Sequence, residues 1–167
     1  TLARIDTVVL DKTGTLTEGR PEMTDFRLVG SNGADEDSVL ALVAAAEAQS
    51  EHPIAEAIVR AAEEKGLARP SVTRFNAEPG YGIEADIDGH KVQVCAVCYM
   101  TKCGRDLGQA SDAAAEWAAQ AKTPVFAAVD GRLAAIAAVA DPIKEGSAEA
   151  IGALHGLGLQ VAVLTGD

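Results

Sequence analysis

The sequence has no run approaching the roughly 18 consecutive apolar residues that a membrane-spanning helix needs, since Asp130 and Arg132 break the apolar stretch from Val125 to Ala140. No basic-then-apolar leader stands at the amino end, and three cysteines are an odd number. Neither secretion nor a disulfide framework is therefore expected, and a reducing cytosol fits best. Basic residues are scarce: 14 Lys and Arg against 25 Asp and Glu leave a formal net charge of −11 at pH 7. That charge repels a phosphate backbone, so nucleic acid and anionic membrane surfaces are not expected as partners of the whole chain, while a small anion can still find a local pocket. Internal repeats are absent, and alanine enrichment within amphipathic helices is the one compositional bias. With 48 % hydrophobic and 23 % charged residues, a disordered or collagen-like chain is excluded. Its 167 residues suffice for a core of one domain carrying an insertion.

The two ends of the chain read alike. Ile5 to Leu10 has a β-branched centre and stops at Asp11, the pattern of a short buried strand. Leu159 to Leu164 is a second such run, stopping at Thr165-Gly166-Asp167 and preceded by a helical stretch from Glu145 to Leu157 with Gly158 as its cap. The middle differs. A strand is expected at Met23 to Val29, then helices over Glu36 to Gln49 and Pro53 to Lys65, the second ended by Gly66. Asp88-Gly89 joins Gly82–Ile87 to His90–Val94, and Asp130-Gly131 joins Pro124–Val129 to Arg132–Ala140; both read as two-residue hairpins. An alanine-rich helix from Ser111 to Ala121 lies between them. Parallel α/β signals at the ends enclosing an antiparallel α+β middle are the pattern of one domain inserted into another. The crossings are expected near Pro21 and Asp141-Pro142, giving residues 1–21 with 141–167, and residues 22–140.

Asp11-Lys12-Thr13-Gly14-Thr15-Leu16-Thr17 directly follows the first strand, which places the Asp11 carboxylate at the carboxyl edge of an α/β sheet, where such folds bind ligands. A carboxylate ionised at neutral pH can attack phosphorus, and the glycine, backbone N–H groups and threonine hydroxyls can surround phosphate oxygens. A lone Asp after a strand is ordinarily a turn or cap residue. The full heptapeptide resembles the phosphorylation signature of P-type ATPases, and Thr165-Gly166-Asp167 resembles a second signature of that family. Glu51-His52-Pro53, at a helix start, is similar to the nucleotide-domain signature of the heavy-metal-transporting (copper-type) branch, and Gly80-Tyr81-Gly82 to the glycine pair of the same domain. Asp141-Pro142-Ile143-Lys144 resembles the family's return hinge.

The resemblance implies an α/β fold: a partial haloacid-dehalogenase-like, Rossmann-like phosphorylation domain interrupted by an α+β nucleotide-binding domain with a twisted antiparallel sheet flanked by helices. It implies that Asp11 accepts the γ-phosphate of ATP. Lys12, Thr13, Thr165, Gly166 and Asp167 would complete the catalytic set. Magnesium would be held by the Asp11 carboxylate and the Thr13 backbone carbonyl, and Glu51, His52, Gly80 and Gly82 would bind the nucleotide. Since the two sites lie on different modules, domain closure is expected, coupled to ion movement in an intact pump. The implied partners are ATP, the remainder of the phosphorylation domain, an actuator domain and transmembrane segments of the same pump, with the heavy-metal ion, monovalent copper first, bound elsewhere. The implied setting is the cytoplasmic face of a bacterial inner membrane.

Two departures stand out. The family's Asn, usually in a Gly-Asn pair after the second hairpin strand, aligns with Ala96 of Cys95-Ala96. The chain also ends at Asp167, before a later aspartate-rich signature that helps to bind magnesium, so a fragment that binds nucleotide weakly without turnover is expected. Cys95, Cys98 and Cys103 with His90 offer soft ligands to zinc or copper, but their spacing fits no standard module and incidental thiols are expected. The rival readings are a soluble aspartate-dependent phosphatase, which has no use for Glu51-His52-Pro53, and a non-catalytic nucleotide-sensing module. The lysine motif usual in the nucleotide domain of alkali and calcium pumps is missing.

Overall fold

The structure, a computed structural model, describes residues 5–30, 33, 35–78, 80–95 and 107–164. In chain order the elements are β1 (Thr7–Asp11), the turn Lys12–Leu16, β2 (Glu22–Leu28), α1 (Glu36–Glu47), α2 (Pro53–Glu64), β3 (Val72–Glu78), β4 (Gly82–Ile87) and β5 (His90–Cys95). Then follow α3 (Gln109–Ala119), β6 (Thr123–Val129), β7 (Arg132–Ala140), α4 (Ser147–Gly156) and β8 (Gln160–Leu164). The chain divides into two compact units, Thr1–Pro21 with Asp141–Asp167, and Glu22–Ala140.

In the first unit β1 and β8 pair in parallel, in register from Thr7 opposite Gln160 to Asp11 opposite Leu164. A parallel pair needs a crossover, and α4 supplies a helix packed on β8. That helix ends where Gly158, at φ +75°, donates its N–H to the His155 carbonyl, the left-handed cap that favours glycine. The expectation that the Ile5–Leu10 strand is buried needs correction, because Ile5 is 69 % and Val9 55 % exposed. A two-stranded sheet against a ten-residue helix has too little apolar surface to cover both faces.

The second unit holds a six-stranded antiparallel sheet in the order β2-β7-β6-β5-β4-β3. Asp88 (φ +49°) and Asp130 (φ +48°), each followed by a positive-φ glycine, form the hairpin turns, the conformation for which Asp-Gly is suited. One sheet face is covered by α1 and α2, whose Leu40, Val43 and Ile58 are fully buried against Ile87, Val92 and Val94. The other face carries α3, where Trp117 and Ala114 pack on Phe126 and Ile136. Each of the buried Leu, Val, Ile and Phe side chains among these contributes about 1.5–3 kcal/mol of transfer free energy. Asp35 caps α1 by accepting from the Ser38 N–H at 2.9 Å, and Lys65 ties the end of α2 to Glu36 and Asp37 at the start of α1. The sequence reading did not anticipate β3, which pairs along β4 and makes Gly80-Tyr81 part of a third hairpin turn.

Candidate functional site

Asp11 closes β1 and opens the turn that follows, in extended backbone (φ −73°, ψ 142°), and its carboxylate is exposed and makes no capping bond to the turn. Extended Thr13 (ψ 122°) and left-handed Gly14 (φ +78°) break the helical path of Lys12–Leu16, turning the chain back on itself. The turn is tied down from behind. Thr17, 3 % exposed, donates its hydroxyl proton to Asp141, and that hydroxyl accepts from the Gly14 N–H at 3.3 Å. Asp141 also accepts from the Arg20 N–H at 3.1 Å. The Lys144 ammonium donates to the Gly14 carbonyl, and Ser147 Oγ to the Leu16 carbonyl at 2.9 Å. Backbone bonds from Glu18 to Pro142 and from Lys144 to Leu16 complete the clasp. The Asp141–Lys144 segment is thus the backing of the turn that carries Asp11 and Thr13. Thr165, Gly166 and Asp167 lie outside the described residues; Leu164, which precedes them, is the register partner of Asp11.

In the second unit a cleft of ≈ 360 Å³ opens between the start of α2 and the β3–β4 turn, and it brings together His52, Gly80 and Gly82. His52 is the N-cap of α2: its Nδ1 accepts from the Ile54 N–H at 3.2 Å, and Pro53 occupies the first helical position, where no N–H is needed. A neutral imidazole that accepts at Nδ1 carries its proton on Nε2, leaving that nitrogen as a donor for a ligand. Gly82 (φ +135°) leaves no room for a side chain: a Cβ would fall 2.2 Å from the Val94 carbonyl oxygen. The walls are apolar, with Ile54, Ala77, Ile83, Val94 and Val125. Glu51 is exposed and is not among the lining residues.

Sequence reasoning missed a cleft residue. Glu47, the last residue of α1, lines the cleft at 7 % exposure, and burial pushes its carboxyl above the usual range to about 7. The pattern that could have found it is the stripe Leu40, Val43, Ala44, Glu47, where helical spacing places a carboxyl on the buried face. Tyr81, between the two glycines, lines the cleft as well and had not been singled out.

Cys95 is buried beside Gly82, whereas Cys98, Cys103 and Ala96 lie outside the described residues. Among the described residues no group of three or more His, Cys, Asp and Glu side chains is arranged to hold a metal ion. No helix among them is long and apolar enough to cross a membrane.

The family described as "Hydrolase: haloacid dehalogenase-like hydrolase" matches residues 5–167. The chain belongs to the haloacid dehalogenase-like hydrolases. Within that family it is 52 % identical, over 97 % of its length, to "Copper-transporting ATPase 2" of Rhizobium meliloti (strain 1021), covering 19 % of that protein. Among solved structures it is similar to a zinc-transporting PIB-type ATPase in the E2.Pi state (TM-score 0.78, 35 % identity, 99 % of this chain and 26 % of that one). It is also similar to the catalytic domain of the CPx-ATPase CopB-B, whose conformational changes upon nucleotide binding were described (TM-score 0.70, 27 % identity, 98 % and 53 %). This haloacid dehalogenase-like chain thus spans about one fifth of the curated relatives it matches, and corresponds to the catalytic region of heavy-metal P-type ATPases.

Proposed function

We propose that this chain is the ATP-handling region of a heavy-metal P-type ATPase, binding the base of ATP in the Glu47–His52–Gly80–Gly82 cleft and accepting the γ-phosphate on Asp11. The observation that carries the reading is the pairing, within one chain, of an exposed strand-end carboxylate with an apolar cleft holding a buried carboxyl and an imidazole donor. Apolar walls with a few convergent polar groups suit a purine ring, and the glycine backbone at Gly80 and Gly82 admits close approach. In the transfer an Asp11 oxygen bonds to the γ-phosphorus as the bond to the β-γ bridging oxygen breaks, and ADP leaves with that electron pair. Lys12 and Thr13 help to hold the transferred group, with Thr165 and Gly166 contacting the same phosphate.

The Asp11 carboxylate and the Thr13 carbonyl form a hard-oxygen pair suited to magnesium, which commonly retains several waters; their exposure at the turn leaves room for those waters. Magnesium there supplies charge neutralisation on the phosphoryl oxygens. The 52 % identity to a copper-transporting relative makes monovalent copper the first candidate cargo. The ion is bound by transmembrane segments of the same pump, with this region and an actuator domain at the cytoplasmic face. Because the relatives are transport ATPases, the phosphatase reading and the nucleotide-sensing module are not favoured.

The test is calorimetric titration with a non-hydrolysable ATP analogue on the wild type, His52→Ala and Asp11→Asn. The reading expects binding that falls about tenfold or more for His52→Ala and stays near wild type for Asp11→Asn. Hydrolysis of small phosphate esters without ATP affinity would contradict it.

A further inference from the structure

Beside the cleft lies a second hollow of ≈ 90 Å³, which shares Glu78, Tyr81 and Gly82 with it and adds Asn76, Glu84 and Gln93. At about 30 Å³ for each water, that is a few waters' worth of space, enough for the hydroxyl edge of a small ring rather than for a base. Glu78 is the last residue of β3 and the register partner of Gly82, so no side chain stands opposite to cover it. Its carbonyl accepts from the Tyr81 N–H at 3.0 Å and closes the turn. Its exposed carboxylate makes no hydrogen bond or ion pair among the described residues. Glu84 differs, because its two oxygens accept from Lys91 at 2.8 Å and from Gln93 at 2.7 Å. The Lys91 ammonium holds that carboxyl below the usual range, and Glu84 stays ionised.

The chemistry of the hollow selects among the parts of a nucleotide. Among the described residues no Lys or Arg lines it, and the nearby cations, Lys91 and Arg74, act on Glu84. Two carboxylates in that setting repel a triphosphate. A hydroxyl is suited to it, since a carboxylate accepts alone and a hydroxyl brings the donor. Ribose presents two neighbouring hydroxyls to the two oxygens of one carboxylate, and an acidic side chain on a ribose hydroxyl is a recurring means of holding a nucleotide. The sugar is joined to the base by one bond, so a base in the cleft brings its sugar within reach of a hollow that shares the cleft wall.

We propose that Glu78 reads the sugar of the bound nucleotide, its carboxylate accepting from the 2′- and 3′-hydroxyls of ribose in the hollow, so that ribonucleotides are selected over deoxyribonucleotides; this rests on the nucleotide reading of the cleft. The same charge keeps the triphosphate out of the hollow. Removing Glu78 therefore relieves a repulsion as well as deleting two acceptors, and the affinity for ATP alone can move in either direction. The ratio between nucleotides that differ only in the sugar is free of the repulsion, which cancels.

The experiment is calorimetry on the 167-residue protein with ATP, 2′-deoxy-ATP and 2′,3′-dideoxy-ATP, for the wild type, Glu78→Gln and Glu78→Ala. The wild type is expected to bind 2′-deoxy-ATP about threefold, and 2′,3′-dideoxy-ATP about tenfold, more weakly than ATP. Glu78→Ala is expected to bind all three within about twofold of one another, and Glu78→Gln, which keeps one acceptor oxygen, to discriminate to an intermediate degree. If the wild type binds ATP and its deoxy forms alike, or if Glu78→Ala discriminates as the wild type does, the sugar assignment is overturned while the nucleotide cleft stands. If the wild type binds none of the three, the cleft reading itself fails, and this inference with it.

Discussion

The Thr17 hydroxyl donates to the Asp141 carboxylate across 124 positions of sequence, joining the motif that begins at Asp11 to the segment that returns from the insertion. A single hydroxyl both binds Asp141 and receives the Gly14 N–H, so the turn's shape and the return segment are linked by one side chain. Thr17→Val keeps the shape and removes both bonds. It is expected to destabilise the turn by on the order of 1–2 kcal/mol and to speed hydrogen exchange at the Gly14 amide, with Thr17→Ser restoring protection. Unchanged exchange in Thr17→Val would contradict the linkage.

Gly82 and Gly80 make a matched pair. Alanine at Gly82 drives its Cβ to 2.2 Å from the Val94 carbonyl oxygen at a φ of +135°, so Gly82→Ala is expected to cost on the order of 2–4 kcal/mol. Gly80 has φ +79° with open space around it, so Gly80→Ala should cost about 1 kcal/mol. Denaturant unfolding of both variants measures the contrast, and equal costs would refute the close approach of β4 to β5.

Stability should carry the signature of Glu47. Its folded carboxyl titrates at about 7 while an unfolded one titrates in the ordinary range, so between those values the folded state binds the extra proton. Stability contributed by this group is therefore full at low pH and declines by about 1.4 kcal/mol per pH unit up to its folded value, then levels off. Glu47→Gln abolishes that decline. Relative to the wild type it is expected to gain on the order of 2–3 kcal/mol in unfolding free energy between about pH 5 and about pH 8. A constant difference across that window would show that Glu47 is not desolvated.

Phe126, fully buried between β6 and α3, tests the second core layer. Phe126→Ala is expected to cost about 3–5 kcal/mol, read from chemical unfolding, because it removes a fully buried ring from the cluster that holds Trp117 and Ile136 and leaves a cavity there.

Much of this architecture was legible because its signals are local. Asp88-Gly89 and Asp130-Gly131 tolerate the positive φ that a two-residue hairpin turn requires at both positions, and they adopt it here. Pro53 after His52 marks the start of α2, and Gly158 the end of α4. What escaped was set by distant contacts. In β3 the residues Val72–Glu78 are mostly exposed, since the strand lies at the sheet edge and pairs with β4 alone, so no apolar alternation announces it. Glu47 reads as an ordinary polar residue after three alanines, and its burial is created by the packing of α1 against β4 and β5. The strand ending at Asp11 was identified, but its exposure was not, because burial depends on what covers a face and a strand's own residues do not record that.

On the function proposed above, the cleft beside His52 receives the base of a nucleotide. Residue-resolved NMR titration with a non-hydrolysable ATP analogue is then expected to give saturable shifts concentrated at Glu47, His52, Gly80, Tyr81 and Gly82, with adenosine alone shifting the same residues. Shifts confined to other surfaces, or no shifts at these five positions at saturating analogue, would contradict it.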